Sequence, residues 1–376
     1  MRAAICGVGR MGTAIAYAMD KLGYQVIGMD SNAKASENIP HKINLQDGVT
    51  PKNEFFIVES IKDIEMALSN VGKVDVVISS LPYHQTEEVG KLCVDKGLRY
   101  CDLGGRVDVS ANINNYAKEK ATKPVMTDLG LAPGWVNILA EEGYSGLYGH
   151  GPVQSVKMMV GGIPESAIKP PMNYSVTWSV DGLINEYKDD CEILENGEIK
   201  IVKGMDGLEH VQTAHLGLLE AFYTSGGASH SIRSMQSRGV RNCSYKTLRY
   251  PGHIDIVKFL INDCELNDEQ MRHVFEKGCK QSEGEQDVII IKASVRKDEI
   301  RWDRELLITA DEGGFSAMQK ATAYAISSVA AIMGHGHFDN RQQEFRDYKK
   351  NLPLVLSYKD IPFSEFNKNL QILGII

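Results

Sequence analysis

The sequence predicts an α/β chain: a doubly wound parallel sheet at the N-terminus, then an α+β domain on a mixed sheet. Three observations predict it. Apolar strand patterns alternate with amphipathic helix patterns over residues 1–133, strand patterns follow one another over residues 134–313, and residues 314–376 open with a long apolar helix that should return to the first domain. At 376 residues, 43% hydrophobic and 24% charged, the chain has room for two domains that each bury a core.

The elements justify this in order. AAICG, ending at Gly7, reads as a buried strand; GVGRMGTAIAYAMDKLG turns into an amphipathic helix closing at Gly23, and YQVIGMD is a second strand. Gly7, Gly9 and Gly12, with Arg10 and Met11 between them, stand in G-x-G-x-x-G order between strand and helix. Backbone must there approach a pyrophosphate closely, which is the dinucleotide fingerprint of a Rossmann domain. Asp30 ends the second strand roughly 20 residues on, where a carboxylate accepts from ribose hydroxyls and repels a 2'-phosphate. NAD is therefore expected, with NADP left open by the nearby cations Arg10 and Lys34. Arg10 has an alternative place over the adenine.

KVDVVISSLPYH (73–84) is a strand with a polar tip at Ser79, Ser80, Pro82, Tyr83 and His84, and Leu81 beside them is a further cofactor candidate; a helix over 85–96 and the strand LRYCDLGG follow, with Asp102 and Leu103 at its end. PVMTDLG is a further strand, leading through LAPGW to the helix VNILAEEG. In a doubly wound sheet the strand C-termini face the ligand, so these tips should line the nicotinamide side.

Beyond residue 151, VQSVKMMVGGIP, MNYSVTWSV, GEIKIVK, QDVIIIKASVRK and RWDRELLITAD read as half-buried strands, rich in β-branched and aromatic residues. Helices are expected at about 253–262 and at NDEQMRHVFEKGC, where Asn267 and Gln270 form a capping box, and His215 and Glu220 read as lying on another. FSAMQKATAYAISSVAAIM (315–333) is the returning helix.

Charge and composition exclude several functions. A net charge of -8 argues against nucleic acid. Seven cysteines form no CxxC and read as reduced thiols, and His335 and His337 lack a third ligand, so no metal is expected. No apolar run reaches the ~18 residues of a membrane span, and a cytoplasmic location is expected.

Against that acidic balance, YKTLRYPGH (245–253) clusters Lys246, Arg249 and His253. Arg249 offers a planar fork for a carboxylate and Lys246 a point charge beside it. Glu186 and Tyr187 end LINEY on a helix that begins after Ser179; a carboxylate there can hold a substrate ammonium. The order GVGRMG, ISSLPYH, DLGLAPGWVNILA, MVGGIP, TWSVDGLINEY, EAFYTSGG, YKTLRYPGH resembles the saccharopine dehydrogenase family, within it the lysine 6-dehydrogenases, over essentially the whole chain. The resemblance implies a Rossmann domain, a second domain for substrate and dimerisation, a homodimer or larger assembly, and hydride transfer involving an amino-acid amine. ASHSIRSMQSRGVRN, after Gly227, departs from the lysine dehydrogenases, so the reaction type is better specified than the substrate.

The leading expectation is NAD-dependent oxidation of the side-chain amine of lysine or a relative to an imine and then a semialdehyde. The alternatives are imine reduction, as in saccharopine reductase or carboxynorspermidine dehydrogenase, and a non-catalytic nucleotide sensor. Asp102, Glu186 and His84, in that order, are the candidate proton acceptors, and Arg249, Lys246, Tyr187 and Tyr83 the candidate substrate contacts.

Overall fold

The apolar run after Met1 forms β1 (Arg2–Cys6), with Ala3 to Cys6 fully buried at the centre of a six-stranded sheet. A computed structural model describes residues 1–39, 53–149, 152–167, 169–311, 314–339 and 354–376. With β2 (Gln25–Asp30), β3 (Glu54–Ile57), β4 (Val76–Ser79), β5 (Tyr100–Asp102) and β6 (Val125–Met126), the order is β3-β2-β1-β4-β5-β6, every pair parallel. This is the doubly wound Rossmann order, whose switch point lies between β1 and β4. Helices Arg10–Lys21, Ile61–Asn70, Tyr83–Asp95 and Val107–Lys120 connect the strands. The third begins at Tyr83 rather than at residue 85, because Pro82 serves as its N-cap; Tyr83 and His84 belong to a first helical turn.

The chain divides into two units, Met1–Gly134 with Thr322–Ile376 and Trp135–Ala321. The second dividing point falls inside helix Ala317–Gly334, later than residue 313. Its first turn is held in the second unit, where the Asp287 carboxylate accepts from the backbone amides of Ala317 (2.8 Å) and Met318 (2.9 Å). Its last turns belong to the first unit, where the Tyr24 hydroxyl donates to Ala331 O at 3.0 Å. No helix among the described residues is long and apolar enough to cross a membrane.

The second unit is built on a mixed eight-stranded sheet of β7 (Ser155–Pro164), β8 (Cys191–Glu195), β9 (Glu198–Val202), β10 (Glu209–Gln212), β11 (Leu218–Tyr223), β12 (Asn242–Arg249), β13 (Asp287–Lys297) and β14 (Ile300–Thr309). The path is β10-β11-β12-β7-β13-β14, with β8 and β9 a hairpin attached to β12. Only β12 and β7 pair in parallel. Helices Trp135–Tyr148, Val180–Lys188, Ser231–Ser237, His253–Lys258 and Asp268–Gly278 complete it, and a π turn, Phe259–Asp263, extends the fourth.

Three local expectations are corrected. MNYSVTWSV is a loop: Asn173 sits at φ +49, and Met172 and Tyr174 bury against helices rather than a neighbouring strand. His215 and Glu220 do not share a helix. Gly217, at φ +70, closes the turn between β10 and β11 with its carbonyl on the Thr213 amide, and Glu220 lies in β11. The departing segment after Gly227 contains the unforeseen helix Ser231–Ser237.

Beneath the helices of this unit, Tyr187, Phe222, Met271 and Phe275 form one buried cluster, with the Tyr187 ring 6.1 Å from Phe275 and 6.0 Å from Phe222. Phe275→Ala should lower stability by about 3–5 kcal/mol through lost burial and the cavity left behind. Chemical denaturation followed on the second unit's tryptophans would show it; a loss under about 1 kcal/mol would mean that the cluster collapses to fill the hole.

Candidate functional site

Side chains alternate across a strand, so the run Tyr245-Lys246-Thr247-Leu248-Arg249 of β12 cannot act as one cluster. Lys246 points to one face, where its ammonium donates to Glu209 Oε1 at 2.8 Å and stands 4.7 Å from the Tyr223 ring centre. Tyr245, Thr247 and Arg249 occupy the other face. Lys246 therefore carries a charge already matched by Glu209, on the face away from Arg249.

Arg249 is 3% exposed. Its guanidinium lies 4.6 Å from the centre of the Tyr174 ring, Nε donates to the Tyr187 hydroxyl at 3.3 Å, and Nη1 donates to Leu248 O at 3.0 Å. Among the described residues no carboxylate comes within ion-pair distance. A buried charge without a counter-ion is costly, and a π face and two neutral acceptors offset only part of that cost.

The surroundings hold this arrangement. Tyr187 Oη lies 2.9 Å from His253 Nε2, and His253 Nδ1 lies 2.9 Å from Met172 O. Burial and the Arg249 charge push the His253 imidazole down to about 3, so it is neutral. Glu220 secures the chain that carries His253: its carboxylate accepts from the amides of Gly252 (3.0 Å) and Ile254 (2.7 Å) at the start of helix His253–Lys258.

Glu186 is partly exposed and, among the described residues, its carboxylate accepts no hydrogen bond. Burial pushes it up from its ordinary 4.5 to about 7, against the downward pull of Arg249. The loop that follows β11 is fixed to its backbone, since Ser225 N donates to Glu186 O at 3.1 Å and Ser225 Oγ to Asn185 O at 3.2 Å. That loop is steadied in turn by Asn137, whose side-chain amide donates to Ala228 O and Ser231 Oγ.

In the first unit Gly7 adopts φ +87, and a Cβ at Gly12 would stand 1.9 Å from Gly7 O, so these two glycines are required by the loop itself. A Cβ at Gly9 would meet nothing within 4 Å. Gly9 keeps open the space before helix Arg10–Lys21, a helix start with no side-chain cap and no acid in its first turn. Asp30 accepts from Val8 N at 2.7 Å and Asn32 N at 2.9 Å, which aims the carboxylate beside the glycine loop and leaves acceptor capacity on both oxygens. Ser80 N donates to Cys6 O at 2.8 Å, joining the tip of β4 to the loop. Met11, Leu81 and Leu103 are partly exposed, and Arg10 and Pro82 exposed.

Asp102 differs from the other tip residues. It is 1% exposed; Oδ1 accepts from the amides of Gly104 (2.8 Å) and Asp128 (3.1 Å), and Oδ2 has no hydrogen bond among the described residues. Burial, then the Asp128 carboxylate, push it up to about 7. His84 is exposed and touches Tyr83 edge-on at 5.9 Å; Tyr83 in turn lies 5.6 Å from the Arg106 guanidinium.

Residues 130–343 match the model of the saccharopine dehydrogenase C-terminal domain. The chain belongs to the saccharopine dehydrogenase family. It is 25% identical over 202 residues to the alpha-aminoadipic semialdehyde synthase of Arabidopsis thaliana, covering 52% of this chain and 19% of that protein. It is 22% identical over 196 residues to the saccharopine dehydrogenase [NADP(+), L-glutamate-forming] of Schizosaccharomyces pombe, covering 51% and 43%. The matched stretches thus span less than half the length of either relative. The apo saccharopine dehydrogenase (L-Glu forming) from Saccharomyces cerevisiae has the same fold, with a TM-score of 0.72 at 15% identity over 100% of this chain and 98% of that one. Of the groups around Arg249, the sequence picked out Arg249 itself, Tyr187 and Glu186 but not the part of His253, whose partners Tyr187 and Met172 come from distant segments.

The raised Glu186 carboxyl has a consequence for this family member. The folded chain holds its proton more tightly than the unfolded chain, so this stability is present below about 4.5 and is lost as pH rises through about 7. Glu186→Gln should therefore gain stability relative to the native chain across that window and level off above it. Denaturation midpoints of both proteins at several pH values would check this, and a difference that does not change with pH would contradict it.

Proposed function

We propose that the chain is a nicotinamide-dependent oxidoreductase acting on the side-chain amine of L-lysine or a related amino acid. The buried Arg249, with no carboxylate within ion-pair distance among the described residues, carries this reading. Its missing counter-ion is the substrate carboxylate. Lys246 is left to its pairing with Glu209.

The open space at Gly9, the helix start behind it and Asp30 at the end of β2 fit a dinucleotide, with Gly7, Gly9, Arg10, Met11 and Gly12 at the pyrophosphate and Ser80, Leu81, Pro82 and Leu103 toward the nicotinamide. Such a cofactor supplies the hydride acceptor when bound. Asp30 favours NAD, whereas the fission yeast relative is named for NADP(+).

An amine must be neutral before its carbon can surrender hydride. Glu186 has open acceptor positions, lies in the field of Arg249 and titrates near neutrality, so we rank it first for meeting the ammonium and taking its proton. Asp102, ranked first from sequence, holds the Gly104 and Asp128 backbones, and we assign it to shaping the strand-end loops. His84 and Tyr83 remain accessible on the nucleotide unit. The names of both curated relatives favour a secondary amine such as saccharopine as the hydride donor; imine reduction, the second reading, is that reaction run in reverse and uses the same groups.

The test is a panel containing L-lysine and L-saccharopine with NAD and NADP, and imine-forming pairs with the reduced cofactors, followed by cofactor absorbance. Turnover of none of them would defeat the proposal. Arg249→Lys should raise KM for the accepted amino acid by about 10–100-fold, since charge survives and the fork does not, with kcat changed far less. An unchanged KM would remove Arg249 from recognition. Gly9→Ala should leave the melting temperature nearly unchanged and weaken nucleotide binding on the order of tenfold or more, while Gly12→Ala should destabilise the fold itself. Equal nucleotide affinity in Gly9→Ala would place the cofactor elsewhere.

A further inference from the structure

Each hydrogen bond in the chain from Met172 to Arg249 sets the direction of the next. The carbonyl of Met172 can only accept, so His253 Nδ1 carries the ring proton and Nε2 is left as an acceptor. Tyr187 must then donate its hydroxyl proton to Nε2, and the phenol oxygen is left to accept from Arg249 Nε. With Nε held by Tyr187 and one Nη1 proton by Leu248 O, the guanidinium keeps both Nη2 protons and one on Nη1 without a partner among the described residues. One N–H from each of Nη1 and Nη2 forms its end-on fork.

We infer that His253 is a positioning residue for anion recognition, acting through Tyr187 to aim the end-on fork of Arg249 at a substrate carboxylate. This rests on the reading of Arg249 given above. His253 touches neither substrate nor cofactor in this role. Three observations support it. His253 is 0% exposed, so no solvent competes for Nε2. Glu220 fixes the backbone on both sides of it, through the amides of Gly252 and Ile254. The imidazole stays neutral across the working pH range because burial and the Arg249 charge both oppose a second proton, which would reverse the Tyr187 bond. Tyr174 closes the arrangement from the side, its ring 5.2 Å from His253 and 4.6 Å from the guanidinium carbon. The ligand class that follows is a carboxylate met edge-on by two parallel N–H groups, as an amino acid has and a simple diamine lacks.

The experiment compares L-lysine with 1,5-diaminopentane, which differs by the carboxylate alone, by isothermal titration on the full chain in native, Arg249→Lys, His253→Phe, His253→Gln and Tyr187→Phe forms. The native protein should prefer L-lysine. His253→Phe and Tyr187→Phe should each lower that preference about tenfold, and His253→Gln, whose amide oxygen can accept from Tyr187, should restore most of it. General damage weakens both ligands and leaves the ratio alone, so the ratio reports aim rather than folding. Should His253→Phe fail to fold, Tyr187→Phe breaks the same chain while keeping the ring against Phe222 and Phe275. Loss of the preference in Arg249→Lys together with its retention in both His253→Phe and Tyr187→Phe would overturn the positioning role and leave Arg249 standing. No preference in the native protein, or an unchanged one in Arg249→Lys, would overturn the reading of Arg249 and the role of His253 with it.

Discussion

A positive charge kept inside the second unit, with no carboxylate among the described residues to answer it, is the constraint around which the surroundings of Arg249 are arranged. Removing a guanidinium from water costs several kcal/mol even after relaxation, and the protein recovers part of this through the face of Tyr174, the hydroxyl of Tyr187 and the carbonyl of Leu248. It does not close the account with an ion pair. Glu186 lies in the field of Arg249, and among the described residues the two form no ion pair. On the proposed reading such a pair suits a charged amino-acid ligand better than it suits stability, and the rigid elements beneath it, from the aromatic cluster to the Glu220 clamp, hold these side chains in place.

The first unit follows another logic, in which absence of side chains is the device. Gly7 and Gly12 are glycines because backbone stands where a Cβ would be, whereas Gly9 is glycine with nothing of the protein in the way. Only the last of these is left unexplained by the fold, and on the proposed reading a ligand's phosphates take that space. Asp102 shows the reverse case: a buried acid at a strand end, with a raised proton affinity, whose visible work is to hold two backbone amides. Perturbed acids mark functional sites often, and structural ones too.

The sequence made the first unit legible because its signals are local. A strand, three glycines, a helix and a terminal acid lie within about thirty residues, and each constrains its neighbour. The returning helix was legible for the same reason, though its handover point was not, because the Asp287 carboxylate that holds its first turn comes from β13. In the second unit, closeness along the chain misled. Lys246 and Arg249 are three apart on a strand and so face opposite ways, which a helix or loop reading of YKTLRYPGH conceals. MNYSVTWSV has strand composition but no strand to pair with, and His253 acquires its part only from Tyr187 and Met172, brought to it by folding.

The most direct measurement is a crystal structure of the protein with an amino acid that it turns over, soaked in at several times its KM. The account predicts one carboxylate on the end-on fork of Arg249, both oxygens about 2.7–2.9 Å from Nη1 and Nη2, with the Tyr187 and His253 bonds unchanged. A bound amino acid whose carboxylates all lie elsewhere, with Arg249 still lacking an anion, would contradict it.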